Sequence, residues 1–209
     1  MQELIGKVAG VVSFAAHALY ILTTLFPGKI LGQATKPNRA TWWILTLVGG
    51  LIAESYYSSG ASTTMWVAVS YFVGPLIISI ISLSPRYGVG GWEGSDKWCL
   101  LLAIACLWFR VTFSDYPKVS LVLSLATDIF GLWPTIRKSY LTAESEDRRA
   151  WAMEAGASFL NLFAINSLSW EIWIQPLYLL VFNTVIAMLL YRNGGCRKIV
   201  KLVTYVILR

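Results

Sequence analysis

The chain contains one histidine, His17, in a long apolar segment near the N-terminus, and a later apolar segment carries Asp128. An ionisable side chain inside a membrane-spanning helix is costly, so a functional role is the default interpretation. At about 1.5 Å per residue, both positions lie ~15–20 Å from the predicted starts of their helices, near the middle of a bilayer. We therefore predict that His17 and Asp128 share a hydrogen bond or a proton beside a solute pathway. The alternative is a structural pair that fixes one helix against another.

Other polar residues at membrane depth are candidates for contacting a solute, namely Tyr71, Asn161, Tyr178 and Asn183. Burying an unpaired amide costs about 1–3 kcal/mol, so each asparagine either bonds to a neighbouring helix or faces a solute. The two tyrosines would line a pocket, with core packing as the alternative.

Residues near the predicted helix ends suggest other roles. Trp42 and Trp151 lie where tryptophans commonly form a belt at the membrane surface. Glu54 and Glu154 lie where a carboxylate would reach lipid headgroups or the basic residues of the loops. A proline frees a backbone carbonyl and permits a kink. We interpret four prolines as candidate hinges of a gate: Pro27, Pro75, Pro134 and Pro176.

The composition predicts that helices in a membrane hold these residues. The 209 residues are 56% hydrophobic and 13% charged, with a mean hydropathy of +0.61, whereas a soluble domain is typically about 25% charged. Crossing a bilayer takes roughly 20 apolar residues. We predict an all-α integral membrane protein with seven transmembrane helices, over Leu4–Leu25, Ala40–Tyr57, Thr63–Leu83, Trp98–Phe113, Lys118–Leu132, Ala150–Ile165 and Trp170–Tyr191.

The first three segments recur, in the same order, in the last three. The matches are Ser13–His17 with Ser124–Asp128, Arg39–Trp42 with Arg148–Trp151, and Trp66–Tyr71 with Trp173–Tyr178. We predict two parallel three-helix repeats, residues 1–85 and 117–192, joined by a linker helix within 96–114 and followed by a basic tail, 193–209. Because each repeat crosses the membrane an odd number of times, the linker lets the second repeat start on the same side as the first.

Basic residues are distributed unequally between the two sides of this arrangement. Of the 17 lysines and arginines, all but Lys7, Arg110 and Lys118 fall on one side. Cytoplasmic loops carry the excess of Lys and Arg, so we predict an external N-terminus and a cytoplasmic C-terminus. The tail Arg197–Arg209 suits a helix lying in the inner headgroup region, with a frayed tail as the alternative.

Two local patterns, together with the three-plus-one-plus-three plan, resemble the SWEET and PQ-loop transporter superfamily. Gly131-Leu-Trp-Pro134-Thr-Ile-Arg-Lys138-Ser139 is similar to the proline-containing loop at the end of the first helix of a PQ-loop unit. Pro176-Leu-Tyr-Leu-Leu-Val-Phe-Asn183 is similar to the asparagine-bearing third helix. The glutamine of the PQ pair is absent, and Leu76 is the counterpart of Asn183 in the first repeat. In sugar carriers of this family both positions hold asparagine, so the resemblance implies transport more firmly than sugar.

We expect a transporter or facilitator for a small neutral polar solute, which works by alternating access between the two repeats, with a proton as a candidate second ligand. The alternative is a non-transporting seven-helix subunit or receptor-like scaffold. A nucleophile triad of Ser124, His17 and Asp128 lacks the strand–turn–helix context of such enzymes, so we expect no catalytic site. We also expect no metal site, no cofactor and no nucleic-acid partner. The sequence leaves open whether the protein forms a homo-oligomer.

Overall fold

The computed structural model describes residues 1–29, 32, 34–58, 60–90, 94–112, 117–167 and 169–207, without the side chains of residues 55, 95, 103, 106, 107, 110, 117, 120 and 193–207. The described chain is helical and contains a single isolated β-bridge, between Asn38 and Val89. A short 3-10 turn, Ala143–Ser145, precedes the sixth helix. The helices are α1 (Gln2–Leu25), α2 (Arg39–Ser58), α3 (Met65–Ser82), α4 (Ser95–Thr112), α5 (Pro117–Leu141), α6 (Arg148–Phe163) and α7 (Trp170–Ile207).

The predicted all-helical architecture is confirmed, and two helices run further than their apolar segments. Helix α5 continues from the predicted end at Leu132 to Leu141, and passes through Pro134. Helix α7 continues into the basic tail as far as Ile207. The prediction ended both segments where the hydrophobicity falls, although a helix persists beyond the apolar stretch when its polar turns reach water or loops.

Asparagine or aspartate begins the second helix of each half of the chain. Asp147 accepts hydrogen bonds from the backbone N–H groups of Arg149 and Ala150, and so caps α6. At the start of α2, Asn38 accepts a hydrogen bond from the N–H of Thr41 at 3.2 Å. Both side chains satisfy donors that a helix leaves unpaired in its first turn. The two helices therefore begin at residues that the repeat also matches.

Contacts between helices fix their relative directions. Gly6 lies against Thr63 and Gly74 lies against His17, so α1 and α3 are parallel. Gln2 reaches the carbonyl of Ile165 and Ser13 reaches Glu154, so α1 and α6 are antiparallel. Helix α2 is antiparallel to α3, because Gly49 lies near Tyr71 and Arg39 near Ser82, and it is antiparallel to α5, because Thr41 lies near Thr135 and Ile44 near Gly131. Helix α5 is parallel to α7, because Lys118 lies near Glu171 and Asp128 near Tyr178. Helix α6 is antiparallel to α7, because Ser158 lies near Asn183 and Arg148 near Tyr191.

These directions place the basic residues together. Helices α1, α3, α5 and α7 point one way, and α2 and α6 point the other way. We call the end at which α2 and α6 begin the basic end. It carries Lys29, Lys36, Arg39, Arg86, Arg137, Lys138, Arg148, Arg149 and Arg192, whereas Lys7 and Lys118 lie toward the opposite end.

The order of neighbours around the bundle is symmetrical. Helix α3 packs against both α1 and α2, and α7 packs against both α5 and α6. The two sets of three helices meet where α1 packs against α6 and α2 packs against α5. Exchanging α1 with α5, α2 with α6 and α3 with α7 leaves this order unchanged. Helix α4 packs against α5 and α2, outside the ring of six. We call α1–α3 the first unit and α5–α7 the second unit.

The described bundle exposes large apolar side chains, and it buries polar side chains together with hydrophobic clusters. Large exposed side chains include Leu4, Val11, Ile80, Trp108, Phe163 and Met188, and soluble proteins rarely expose contiguous apolar surface on this scale. Three helices are long and apolar enough to cross a membrane, namely Gln2–Leu25, Met65–Ser82 and the Trp170–Arg192 part of α7. This finding agrees with membrane association. Seven crossings and the sidedness of the termini stay predictions.

Candidate functional site

A buried contact between an imidazole and a carboxyl group joins the two units where α1 meets α6. His17 Nδ1 lies 2.9 Å from Glu154 Oε1, and both side chains are more than nine-tenths buried. Ser13 Oγ lies 2.9 Å from Glu154 Oε2, and its hydrogen is shared between that carboxylate and Ser70 Oγ, also at 2.9 Å. A buried carboxylate is tolerated where it is paired and hydrogen-bonded. Glu154 has both kinds of partner.

Helix α3 shapes the space in which the His17 ring lies. A methyl group built at Gly74 would lie 2.2 Å from His17 Cγ, so only glycine lets the ring pack against this turn of α3. Tyr71, one turn earlier, meets the imidazole edge-on, with ring centroids 5.7 Å apart. Ser70 Oγ lies 3.1 Å from His17 Nδ1. The ring is therefore held by α3 as well as by Glu154.

Asp128 has a different partner, and the predicted pairing of His17 with Asp128 is wrong. Tyr178 donates a hydrogen bond from its hydroxyl to Asp128 Oδ2 at 2.9 Å. The neighbour order explains the difference, because α1 packs against α3 and α6, whereas α5 packs against α2, α4 and α7. Residues that match in the repeat therefore lie on opposite sides of the ring, and each bonds to a neighbouring helix.

The two asparagines differ in their surroundings. Asn183 Nδ2 donates to Tyr71 Oη and, at 3.2 Å, to Ser158 Oγ, so it links α7 to α3 and α6. Asn161 is fully buried in α6, and neither its amide nitrogen nor its oxygen has a hydrogen-bond partner among the described residues. A buried amide without a partner is uncommon, so Asn161 differs from Asn183 in offering both a donor and an acceptor.

Aromatic side chains enclose a small cavity next to His17 and Glu154. Trp42 and Trp151 are buried, which corrects the prediction that they form a membrane-surface belt, because the starts of α2 and α6 turn these rings into the bundle. Tyr20 packs on Trp42, with centroids 4.7 Å apart. The cavity is small, with a volume of about 20 Å³, which is room for about one water. Its other lining residues are Ala16, Leu45, Tyr71, Pro75, Leu132 and Ala150.

A second buried carboxylate lies at the basic end. Glu146, just before α6, is fully buried and accepts hydrogen bonds from Tyr20 Oη and Trp151 Nε1, each at 2.9 Å. Lys138 Nζ lies 2.7 Å from its other oxygen and also donates to the carbonyl of Lys36. The network therefore joins α1, α5, α6 and the segment before α2. We call it the basic-end latch.

Backbone carbonyls close the opposite end. Gln2 donates to the carbonyl of Ile165, and Thr63 donates to that of Ala164 at 2.6 Å. The hydroxyl of Tyr56 donates to the carbonyl of Ile172 at 2.7 Å. Each contact joins the first unit to the second, so the cavity lies between two closed ends.

The four prolines have different positions. Pro75 is buried inside α3 and lines the cavity, and Pro176 is buried inside α7. Pro134 is buried within α5, whereas Pro27 is exposed in the turn after α1 ends at Leu25. Pro27 and Pro134 therefore do not occupy equivalent places in the two units.

Sequence reasoning missed the role of Glu154, which it had placed near lipid headgroups. The signal was present, because Trp151, Glu154, Ser158 and Asn161 recur every three or four residues and so lie on one face of α6. All four are buried. Glu146 gave no such signal, because it lies in a loop whose path only the packing of α1, α5 and α6 determines.

Comparisons of the chain with protein-family models, with curated proteins and with solved structures gave no match. Among the described residues, no group of three or more His, Cys, Asp or Glu side chains is placed to hold a metal ion.

Proposed function

We propose that this protein is a membrane transporter or facilitator for a small neutral polar solute, and that it works by rocking of the two three-helix units against each other. One observation carries the proposal. A small cavity beside a buried His–Glu pair lies at the boundary between the units, inside a bundle that exposes many large apolar side chains. Secondary transporters built from repeats hold their substrates at such an interface near the membrane midplane.

The symmetrical neighbour order supports the proposal. A carrier that opens alternately to two sides needs two similar bodies with one boundary, and the exchange of α1–α3 with α5–α7 preserves the helix order. The sequence resemblance to SWEET and PQ-loop proteins agrees with this organisation. The apolar exterior and the excess of basic residues at one end support a seven-helix protein with a cytoplasmic C-terminus.

The present conformation corresponds to an occluded state. The cavity has room for about one water, so a solute enters only after one end opens. Opening the basic end requires Glu146 to release Tyr20 or Lys138, and it separates Trp42 from Trp151. Opening the opposite end breaks the contacts of Gln2 and Thr63 with the carbonyls after α6.

The cavity lining indicates the class of solute. The hydroxyl of Tyr20 donates to Glu146 and that of Tyr71 accepts from Asn183, so the surface that faces the cavity is almost entirely apolar. When one of these hydrogen bonds or the His17–Glu154 contact opens, polar groups become available to an uncharged solute that also has an apolar side. The orphaned amide of Asn161 provides a further donor and acceptor toward the opposite end of α6.

Transport is tested with purified protein in liposomes and a panel of labelled sugars and small neutral amino acids. We expect saturable uptake of at least one compound, and we expect Glu154→Gln to reduce it at least tenfold. Glu54→Gln is the matched control, because Glu54 is exposed near the end of α2 and contacts Ser58. Equal uptake by liposomes without protein, or equal loss in both variants, would refute the role of the site.

The alternative is a non-transporting scaffold, and the small size of the cavity together with the contact between Trp42 and Trp151 favours it. A scaffold needs no opening, so disulfide cross-links across either end would leave its biological activity intact. A carrier cross-linked across α1 and α6 at its basic end would lose uptake and regain it on reduction. That difference separates the two functions.

A further inference from the structure

We propose that His17 and Glu154 bind one proton at the boundary between the units, and that this proton moves with the solute. The co-transport rests on the proposed function, whereas the binding of the proton does not. The observation behind the proposal is the placement of an imidazole and a carboxylate 2.9 Å apart. They come from α1 and α6, which belong to different units.

The geometry requires a hydrogen between the two atoms. Two lone pairs at 2.9 Å would repel each other, and the carbonyl oxygen of Ser13, 3.0 Å from Nδ1, can only accept a hydrogen bond, so Nδ1 carries a hydrogen. When Nε2 carries none, a neutral imidazole faces a carboxylate and the pair has a net charge of −1. One more proton makes the pair neutral overall. The described ion pairs give Glu154 no cation other than His17.

Because the pair is buried, the difference between its charged and its neutral form matters for transport. A net charge is costly where water is excluded, and both side chains are almost completely buried when the ends are closed. One additional proton on the pair would remove that net charge. When one end opens, water hydrates the site, and the negatively charged pair becomes accessible. The proton comes from water at one end and returns to water at the other, and no electron moves.

The other polar groups near His17 and Glu154 do not take the place of either residue in the pair. From α3, Tyr71 and Ser70 face the imidazole, and from α7 Asn183 bonds to Tyr71. Asp128 of α5 is bonded to Tyr178 of α7. Tyr20 of α1 donates to Glu146. The second carboxylate near the cavity is therefore held by the latch, and Glu154 is the carboxylate that faces the imidazole.

The proton is detected without any solute. Infrared difference spectra between alkaline and acidic protein in nanodiscs should contain the C=O band of a protonated buried carboxyl group. We expect Glu154→Gln to remove this band and Asp128→Asn to keep it. His17→Gln should shift the band, because the carboxyl group loses its imidazole partner. Spectra from which Glu154→Gln removes no C=O band would overturn the proposal.

A second readout uses the single histidine of the chain. Histidine labelled with nitrogen-15, in protein without an affinity tag, gives the resonances of one imidazole. We expect Nδ1 of the wild-type protein to carry the hydrogen toward Glu154, and Glu154→Gln to change its shift while Glu54→Gln does not. An Nδ1 resonance that is equal in all three proteins would also refute the pair, and this measurement does not depend on infrared assignment.

Coupling is measured in liposomes with an imposed pH gradient, using whichever panel compound the wild-type protein transports. We expect the wild type to accumulate that compound when the gradient is present. Glu154→Gln should lose at least nine-tenths of the accumulation, whereas the control Glu54→Gln, changed at an exposed position, should keep it. Accumulation at the wild-type level in Glu154→Gln would refute coupling. If no compound is transported but the infrared band depends on Glu154, the proposed function fails and the proton site stands.

Discussion

Trp42 of α2 and Trp151 of α6 face each other across the boundary between the two units, with ring centroids 6.2 Å apart and ring planes inclined by 37°. Each ring lies three residues after an arginine that begins its helix, Arg39 or Arg148. His17 meets the edge of the Trp42 ring, with centroids 6.4 Å apart. The two tryptophans thus separate the His17–Glu154 pair from the basic end.

Removal of either ring should destabilise the protein strongly. Trp42→Ala and Trp151→Ala each leave a cavity, and large-to-small substitutions of this kind cost about 3–5 kcal/mol. Because the rings are in contact, the double variant should lose less stability than the sum of the two single variants. Thermal unfolding in detergent measures both effects. Trp98→Ala is the control, because Trp98 is exposed on α4, and a loss at Trp98 equal to those of the buried pair would contradict the prediction.

Gly74 should be essential for the position of His17. A Cβ atom at Gly74 would lie 2.2 Å from His17 Cγ, so Gly74→Ala forces the ring or the α3 backbone to move. We expect a loss of about 1–3 kcal/mol, as for other overpacked sites, and a changed nitrogen-15 shift of His17. Gly156→Ala is the control, because its Cβ would meet nothing within 4 Å. At such a helical position alanine should stabilise by up to about 1 kcal/mol, and a gain at both sites would disprove the steric argument.

Lys138 should contribute more to stability than an exposed lysine in a pair of the same length. Lys138→Met removes the ammonium group that lies 2.7 Å from the fully buried Glu146, and breaking a buried pair costs about 3–5 kcal/mol. Lys118→Met is the matched control, because the Lys118 side chain is 67% exposed and lies 2.8 Å from Glu171. Chemical unfolding of both variants should show a clear loss for Lys138→Met alone. Equal losses would mean that the latch has no special role.

The two buried asparagines should respond in opposite directions to leucine, which is of similar size. Asn161→Leu removes an amide that has no partner among the described residues and should stabilise the protein by about 1–3 kcal/mol. Asn183→Leu removes donors to Tyr71 and Ser158 and should destabilise it by a similar amount. Thermal unfolding of the two variants in the same detergent measures both changes in stability. A loss at Asn161 would instead indicate a bound water or solute.

The excess of basic residues predicts the sidedness of the C-terminal tail. A membrane-impermeant maleimide should label Cys196 only after the cells are permeabilised, because the excess of Lys and Arg in membrane proteins is found in their cytoplasmic loops. Cys196→Ser provides the background, and a cysteine introduced at exposed Ser58, near the opposite end, provides the external control. Labelling of Cys196 in intact cells would reverse the predicted orientation.

The helices were predictable because hydrophobicity along the chain determines which segments avoid water. Five of the seven helices end within a few residues of their apolar segments, and the two exceptions, α5 and α7, continue into polar sequence. Directions and neighbours are harder to predict. The match between His17 and Asp128 in the repeat carries no information about whether α1 and α5 are in contact.

The partner of His17 could not be found from the repeat, because Leu45 occupies the position in α2 that matches Glu154 in α6. The ion pair therefore exists on one side of the bundle, where α1 meets α6, and has no counterpart where α5 meets α2. Only the periodicity of polar residues along α6 indicated a buried face. Which helix would cover that face depends on the order of packing, which local sequence does not encode.

Helix α1 makes two kinds of contact: water could replace its contacts with α6, but not its contacts with α3. Toward α3, Gly6 and Gly10 bring backbones so close that an added methyl group would lie 1.7 Å from Thr63 O and 2.3 Å from Trp66 Cβ. Separation there would forfeit dense dispersion contacts that water does not restore. Toward α6, the polar groups would exchange protein partners for water at little net cost. We therefore expect water that enters the bundle to separate α1 from α6 before it separates α1 from α3.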